Sequence, residues 1–138
     1  MDEAARGAAL AADDHAARER ALDTGRSFLV QAPAGSGKTE LLIQRYLALL
    51  AHVERPEQIV AVTFTRKAAG EMRERIVAAL RDADAATPTE SSHAARTRSL
   101  AHAALAQDAR HGWRLLAHPS RLAVYTIDTL VAALARQA

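Results

Sequence analysis

The sequence predicts an α/β fold in which helices flank a parallel sheet. Short runs rich in apolar and β-branched residues alternate along the chain with longer segments whose apolar residues repeat at helical spacing. At 59–64 every residue is apolar or β-branched. Such a run is typical of a strand that is buried on both faces of a parallel sheet.

Length and composition limit the class of protein. The chain has 138 residues, so it is one domain or part of one. It has no cysteine, which excludes disulfides, thiolate zinc sites and cysteine nucleophiles and fits a cytoplasmic location. The apolar runs are far shorter than the roughly 18 residues of a membrane span, and the acidic N-terminus does not resemble a secretory signal. We therefore expect a cytoplasmic protein without a membrane partner.

The first half of the chain predicts two helices and a strand. We interpret residues 1–12 as a loose lead-in and 13–22 as a short helix. A buried strand follows at 27–31, and a turn of small residues at 32–39 leads into a second helix. The inward face of that second helix is predicted from apolar residues at helical spacing, namely Leu42, Tyr46, Leu49, Leu50 and Val53.

The second half predicts two further strands with helices after them. After the strand at 59–64, a helix is expected with Ala69, Met72, Ile76 and Leu80 inward and with Lys67–Glu71 and Glu71–Arg75 ion pairs outside. An exposed loop at 83–93, a helical segment at 94–117 broken near Gly112, a strand at 122–127 and a helix at 128–136 complete the chain, with Leu130 and Leu134 inward. Residues 13–138 would form one unit with a helical insert at about 83–120.

The turn at 32–39 carries the most specific chemical signal in the sequence. It matches the pattern of a phosphate-binding loop, with alanine at the first glycine position. Glycines allow backbone N–H groups to surround a phosphate, and the helix that follows directs its positive dipole end at the same anion. The predicted nucleotide-binding residues are Ala32, Pro33, Ala34, Gly35, Ser36, Gly37, Lys38 and Thr39. Lys38 would reach the β- and γ-phosphates, and the Thr39 hydroxyl would bind Mg²⁺.

Two more segments stand at the carboxyl ends of predicted strands. In an open parallel sheet, ligands bind at the carboxyl ends of the strands, so both segments should lie at one edge. Residues 63–67 offer an aromatic ring beside two hydroxyls and two cations, which suits single-stranded nucleic acid. The residues concerned are Thr63, Phe64, Thr65, Arg66 and Lys67. Thr126, Ile127, Asp128 and Thr129 stand at the end of the last predicted strand.

These two segments also have structural interpretations. Phe64 could be a core residue of its apolar strand rather than a stacking surface. Asp128 and Thr129 could serve only as helix caps. Arg66 and Lys67 at a helix start oppose the helix dipole, and this unfavourable placement favours a ligand.

The chain resembles the N-terminal part of UvrD/Rep-like superfamily I DNA helicases, especially the helicase–nuclease subunits of the RecB and AddA kind. The segments Phe28–Glu40, Val60–Ile76 and Tyr125–Leu130 are similar to helicase motifs I, Ia and Ib in the expected order. The resemblance implies an incomplete RecA-like P-loop NTPase domain that binds ATP and Mg²⁺, with Lys38 as its catalytic residue. It also implies DNA contacts by residues 63–67, and by Thr126 and Asp128 on the DNA backbone.

The chain departs from the family pattern in three respects. Ala17 to Arg20 stand where many relatives have a glutamine that reads adenine, and Asp128 stands where many have histidine. The paired acidic residues that hold Mg²⁺ and activate water in the family are absent from the sequence, as are later motifs. We therefore expect the isolated chain to bind ATP without hydrolysing it efficiently or unwinding DNA.

The resemblance implies one portion of an ATP-driven translocase on single-stranded or duplex DNA, acting in DNA repair or recombination with other subunits of a helicase–nuclease complex. Two alternatives use the same phosphate loop. One is a small nucleotide or metabolite kinase, which should ignore DNA. The other is a non-catalytic remnant that binds ATP or a partner without turnover.

Overall fold

Helices dominate the architecture, and a small sheet lies among them. The computed structural model describes residues 3, 14–29, 37–85 and 91–137. Residues 14–21 form helix α1. The remaining elements are α2 (Lys38–Leu50), β1 (Val60–Thr63), α3 (Arg66–Asp84), α4 (Ser92–His111), β2 (Ala123–Thr126) and α5 (Ile127–Gln137).

The sheet contains two described strands, which run parallel. Val60 pairs with Ala123 and Thr63 with Thr126, so the strands start and end together. The parallel direction predicted from the sequence is confirmed. The predicted strand at 27–31 is not, because residues 27–29 lie outside regular secondary structure and residues 30 and 31 lie outside the described part of the chain.

Both strands are entered through a short 3₁₀ turn that begins with proline. These turns span Pro56–Gln58 before β1 and Pro119–Arg121 before β2. Arg121 Nε lies 2.8 Å from Glu57 Oε1 and joins the two turns. The hydrogen bond from Arg121 lowers the pKa of the Glu57 carboxyl, while that carboxylate raises the pKa of Arg121. This ion pair marks the entry edge of the sheet, opposite the edge where the strands end.

Helix α3 packs on the sheet as the sequence predicts. All four residues expected to face inward, Ala69, Met72, Ile76 and Leu80, are buried. Arg73 on the same helix donates from Nη2 to the carbonyl oxygen of Val124 at 2.8 Å and to that of Leu122 at 3.4 Å. These bonds tie the middle of α3 to β2, so the position of the helix relative to the strand is held by polar as well as apolar contacts.

The inward face predicted for α2 is only partly correct. Tyr46 and Leu50 are buried, but Leu42 is 54% exposed. The helix packs against both α3 and α4 and buries a broader face than one stripe. Its full buried set is Leu41, Ile43, Gln44, Tyr46, Leu47, Ala48 and Leu50.

Helix α4 ends at Gly112, where the sequence predicts a break. Gly112 adopts a left-handed conformation with φ of 66°, which favours glycine. The next residue, Trp113, is 2% exposed and donates from Nε1 to the carbonyl oxygen of Glu54 at 2.6 Å. Trp113 therefore packs in the core directly after α4.

The expectation that β1 is buried on both faces is wrong for the described structure. Val60 and Val62 are 48% and 45% exposed, while Ala61 and Thr63 on the other face are partly buried. Leu134 on α5, predicted to face inward, is 56% exposed. Both departures have the same physical reason. Helix α3 covers one side of this small sheet, and none of the described elements fully covers Val60, Val62 or Leu134.

Replacing Gly70 by alanine should stabilise the protein. A Cβ at Gly70, in the second turn of α3, would meet no atom within 4 Å, so the glycine has no packing role there. Gly70→Ala should raise the free energy of unfolding by up to about 1 kcal/mol, measured by urea denaturation. The matched change Gly112→Ala should lower it by roughly 1–2 kcal/mol because of the left-handed backbone. Loss of stability in Gly70→Ala would contradict this account of α3.

The protein should lose stability at alkaline pH through Tyr46. This side chain is 3% exposed, and burial raises the pKa of its phenol from 10.0 to about 12. The unfolded chain then loses this proton at lower pH than the native protein does. The stabilising contribution is complete below pH 10 and is lost as pH rises through 12, by about 3 kcal/mol. Tyr46→Phe, compared by urea denaturation from pH 9 to 12, should lack this loss, and parallel curves for the two proteins would contradict the prediction.

Candidate nucleotide and nucleic-acid site

The start of α2 is the described part of the predicted phosphate-binding turn. Gly37 precedes the helix with φ of 85°, and Lys38 and Thr39 lie exposed in the first helical turn. The first N–H groups of a helix have no partner within it, so this turn can donate hydrogen bonds to an anion. Predicted residues Ala32 to Ser36 lie outside the described part, so the structure does not test their role.

Arg18 of α1 lies against this helix start. Its Nη1 donates to the carbonyl oxygen of Gly37 at 3.4 Å, and its Nε lies 2.9 Å from Asp14 Oδ2. A Cβ at Gly37 would lie 2.8 Å from Arg18 Nη2. The tip of an arginine can move, so the left-handed backbone is the stronger reason for glycine here. The structure thus places a second cation beside the turn that carries Lys38.

Arg45 fixes the connection between α1 and the predicted phosphate loop. Its guanidinium donates to the carbonyl oxygens of Ala21 at 2.6 Å, Asp23 at 3.1 Å and Arg26 at 2.8 Å. It also lies 5.4 Å from the centre of the Phe28 ring, within the range of a cation–π interaction. A guanidinium has five N–H donors in a fixed plane, so one arginine can hold several carbonyls in a defined arrangement.

The end of β1 leads into an exposed segment and then a capped helix. The Thr65 side chain accepts a hydrogen bond from the backbone N–H of Ala68 at 3.0 Å and so caps α3. The Thr63 hydroxyl lies 3.1 Å from the carbonyl oxygen of Thr65 and 3.4 Å from that of Tyr125 on the neighbouring strand. These threonines therefore shape the strand end, and their hydroxyls are engaged within the protein.

Phe64 and the two cations after it face solvent. Phe64 is 89% exposed, so its alternative interpretation as a core residue is wrong in this structure. Arg66 and Lys67 form the exposed start of α3, and that first turn contains no acidic residue. Lys67 Nζ is 4.0 Å from Glu71 Oε1, and both side chains are largely exposed. Aromatic rings beside cationic side chains are typical of proteins that bind single nucleic-acid strands.

The segment that follows β2 lies next to residues 63–67. The residue that caps α5 is neither Asp128 nor Thr129, the two that the sequence suggested. Thr126 is opposite Thr63 in the sheet and is buried. Its hydroxyl lies 2.9 Å from the Thr129 hydroxyl and accepts from the Thr129 N–H at 3.1 Å. Thr126, rather than Asp128 or Thr129, thus caps α5, because its side chain reaches the free N–H groups of the first turn. Asp128 is exposed.

One part of this site was missed by sequence reasoning. Arg75 does not follow the predicted pairing with Glu71 but lies with Nη2 2.6 Å from Glu40 Oε2, across from α3 to α2. The Glu40 carboxylate also accepts from the Thr97 hydroxyl of α4 at 2.7 Å. Partners on three different helices leave no spacing signal in the sequence.

The described residues offer no cluster of three or more acidic, histidine or cysteine side chains that could hold a metal ion. All six histidines are exposed. Within the described ranges, no helix has the length and apolar character to cross a membrane.

Comparison with known proteins identifies the family. Residues 14–137 match the UvrD/REP helicase N-terminal domain, and the chain belongs to this family. The resemblance seen in the sequence is thereby confirmed.

Relatives with similar sequences include several proteins whose names describe them as subunits of an ATP-dependent helicase/nuclease. The protein of Levilactobacillus brevis is 49% identical over 69 residues, which cover 50% of this chain and 6% of the relative. The protein of Desulfitobacterium hafniense is 41% identical over 93 residues, covering 64% of this chain and 7% of the relative. That of Anoxybacillus flavithermus is 46% identical over 80 residues, covering 56% and 6%. The chain thus spans a small fraction of these relatives. No solved structure matches it.

Proposed function

We propose that residues 13–138 are the N-terminal portion of a RecA-like domain that binds ATP and Mg²⁺ in a DNA helicase. The whole protein would couple ATP hydrolysis to movement along single-stranded DNA and to unwinding. The observation that carries the proposal is the family match over residues 14–137, because it spans both the helix start at Lys38 and the two strand ends. We also propose that the whole protein acts in DNA repair or recombination, together with other subunits of a helicase–nuclease complex.

The start of α2 supports the nucleotide half of the proposal. Lys38 and Thr39 are exposed at a helix N-terminus, and Gly37 has the backbone conformation that exposes N–H groups there. In this arrangement the Lys38 ammonium group would bind the β- and γ-phosphates, and the Thr39 hydroxyl would bind Mg²⁺. Residues Ala32 to Ser36 would surround the phosphates with their backbone N–H groups.

The carboxyl edge of the sheet supports the DNA half. Thr63 and Thr126 pair directly, so the segments after both strands meet at this edge. Phe64 would stack on a base, and Arg66 and Lys67 would contact phosphates. Thr126 and Asp128 would contact the backbone of the same strand. Because the Thr126 hydroxyl caps α5 and Asp128 is negative, we propose that both act through the backbone of the helix start or through water.

The isolated chain should bind nucleotide without efficient turnover. Hydrolysis in this kind of domain needs an acidic residue that activates water and cationic groups that stabilise the transition state. The sequence does not contain the acidic motif that the family uses for this purpose. The family match favours a helicase over a small nucleotide kinase, and DNA-dependent nucleotide binding would separate these two functions.

Lys38→Ala should abolish ATP binding and leave the fold intact, because this exposed lysine serves the ligand rather than the core. The measurement is the dissociation constant of a fluorescent ATP analogue in the presence of Mg²⁺, together with the thermal midpoint. Lys67→Ala is the matched control, since Lys67 is the other lysine of the chain and is also exposed. The control should keep ATP binding. Unchanged ATP affinity in Lys38→Ala would contradict the phosphate assignment.

Phe64→Ala should weaken the binding of oligo-dT by about 1–3 kcal/mol, the usual contribution of one stacked base. Because the ring is 89% exposed, the free energy of unfolding should stay within about 0.5 kcal/mol of the parent value. Val131→Ala removes another exposed apolar side chain, on α5, and serves as the control. The stacking role fails if Phe64→Ala and Val131→Ala bind oligo-dT equally well.

A further inference from the structure

A carboxylate lies in the first turn of the helix that would bind phosphate. Glu40 follows Lys38 and Thr39 directly and is the acidic residue in this turn of α2. A negative charge stabilises the start of an isolated helix by interacting with its dipole. At a phosphate site the same charge repels the ligand, so its presence there requires compensation.

The compensation comes from α3. Arg75 Nη2 lies 2.6 Å from Glu40 Oε2, and the side chains are 47% and 30% exposed. This is a charge-assisted hydrogen bond between two helices rather than a pair within one helix. It brings a positive charge next to Glu40, so the first turn of α2 presents no uncompensated carboxylate.

The orientation of the Glu40 carboxylate is fixed from a third helix. Its Oε1 accepts from the Thr97 hydroxyl at 2.7 Å, and that hydroxyl accepts from Nε2 of Gln44 at 3.0 Å. The Thr97 hydroxyl also lies 3.0 Å from the carbonyl oxygen of His93. A hydroxyl has only one hydrogen to donate. The Thr97 hydroxyl donates it to Glu40, because that contact is the shorter one and its acceptor is charged. Gln44 is 2% exposed, which anchors this chain of hydrogen bonds in the interior.

The ion pair is not needed to hold the helices together. An ion pair with this exposure contributes roughly 0–1 kcal/mol to stability. The packing of α2, α3 and α4 rests instead on fully buried apolar side chains such as Ile43, Leu47, Ile76 and Leu80. The placement of the Arg75–Glu40 pair, next to Lys38 and Thr39, therefore has its main consequence for charge at the helix start.

We propose that Arg75 is a positioning residue of the nucleotide site, which neutralises Glu40 and holds it in place so that triphosphate can bind at the start of α2. This inference rests on the proposed function and adds a residue to it. Arg75 acts through Glu40 and does not itself contact phosphate. The direction of each change in ATP affinity follows from charge. Loss of Arg75 leaves a carboxylate that repels the triphosphate, whereas loss of the Glu40 charge removes that repulsion.

The test is a set of ATP dissociation constants with Mg²⁺ for the parent chain, Arg75→Met, Glu40→Gln and the double variant. Arg75→Met should weaken ATP binding roughly three- to ten-fold at low salt, and high salt should reduce this difference. Glu40→Gln should bind as well as the parent or more tightly, since the repelling charge is removed and the amide oxygen can still accept from one of the two donors, Arg75 or Thr97. The double variant should return to near the parent affinity.

Arg121→Met is the matched control, because it breaks the Arg121–Glu57 ion pair at the entry edge of the sheet. It should leave ATP affinity unchanged, and thermal midpoints of all variants report on folding. Equal weakening by Glu40→Gln and Arg75→Met would show a purely structural link and overturn the inference, as would unchanged affinity in Arg75→Met. If the parent chain fails to bind ATP, the proposed function fails and the inference fails with it.

Discussion

The parallel pairing of β1 and β2 is the constraint on which the rest of the described structure depends. Parallel strands cannot be joined by a tight turn, so the chain must cross back from the end of one strand to the start of the next. Helices α3 and α4 make this crossover. Because Thr63 lies opposite Thr126, segments far apart in the sequence emerge at the same edge of the sheet. Their side chains form one surface for this reason.

The helices differ in how the first backbone N–H groups at their N-termini are satisfied. Thr65 and Thr126 satisfy the first N–H groups of α3 and α5 with their own hydroxyls. At α2 the preceding residue is Gly37, which has no side chain to cap the helix, so those N–H groups remain available to an anion. This uncapped helix start is the one with Lys38 and Thr39 in its first turn. Capping thus distinguishes the helix start whose N–H groups are available to a phosphate from two whose first N–H groups are engaged within the protein.

Much of this arrangement could be predicted from the sequence, and the exceptions have physical causes. The inward face of α3 follows from one-sided spacing, and the end of α4 at Gly112 follows from glycine chemistry. The exposure of Leu42 and Leu134 could not be predicted, because spacing identifies an apolar stripe but not which neighbour covers it. Pairing of Arg75 with Glu40 depends on how two helices cross, whereas the spacing alone favoured Glu71. Whether Phe64 is a core or a surface residue depends on where β1 ends, and an unbroken apolar run does not mark that point.

Hydrogen exchange of the backbone amides, with and without oligo-dT, tests most directly whether the two strand ends form one nucleic-acid surface. The account predicts slower exchange at 63–67 and at 126–129 together, with unchanged exchange through α4. Because the pairing of β1 with β2 brings the two segments to the same edge, joint protection would support this sheet as the basis of one surface. Protection at only one of the two segments, or protection confined to α4, would contradict it.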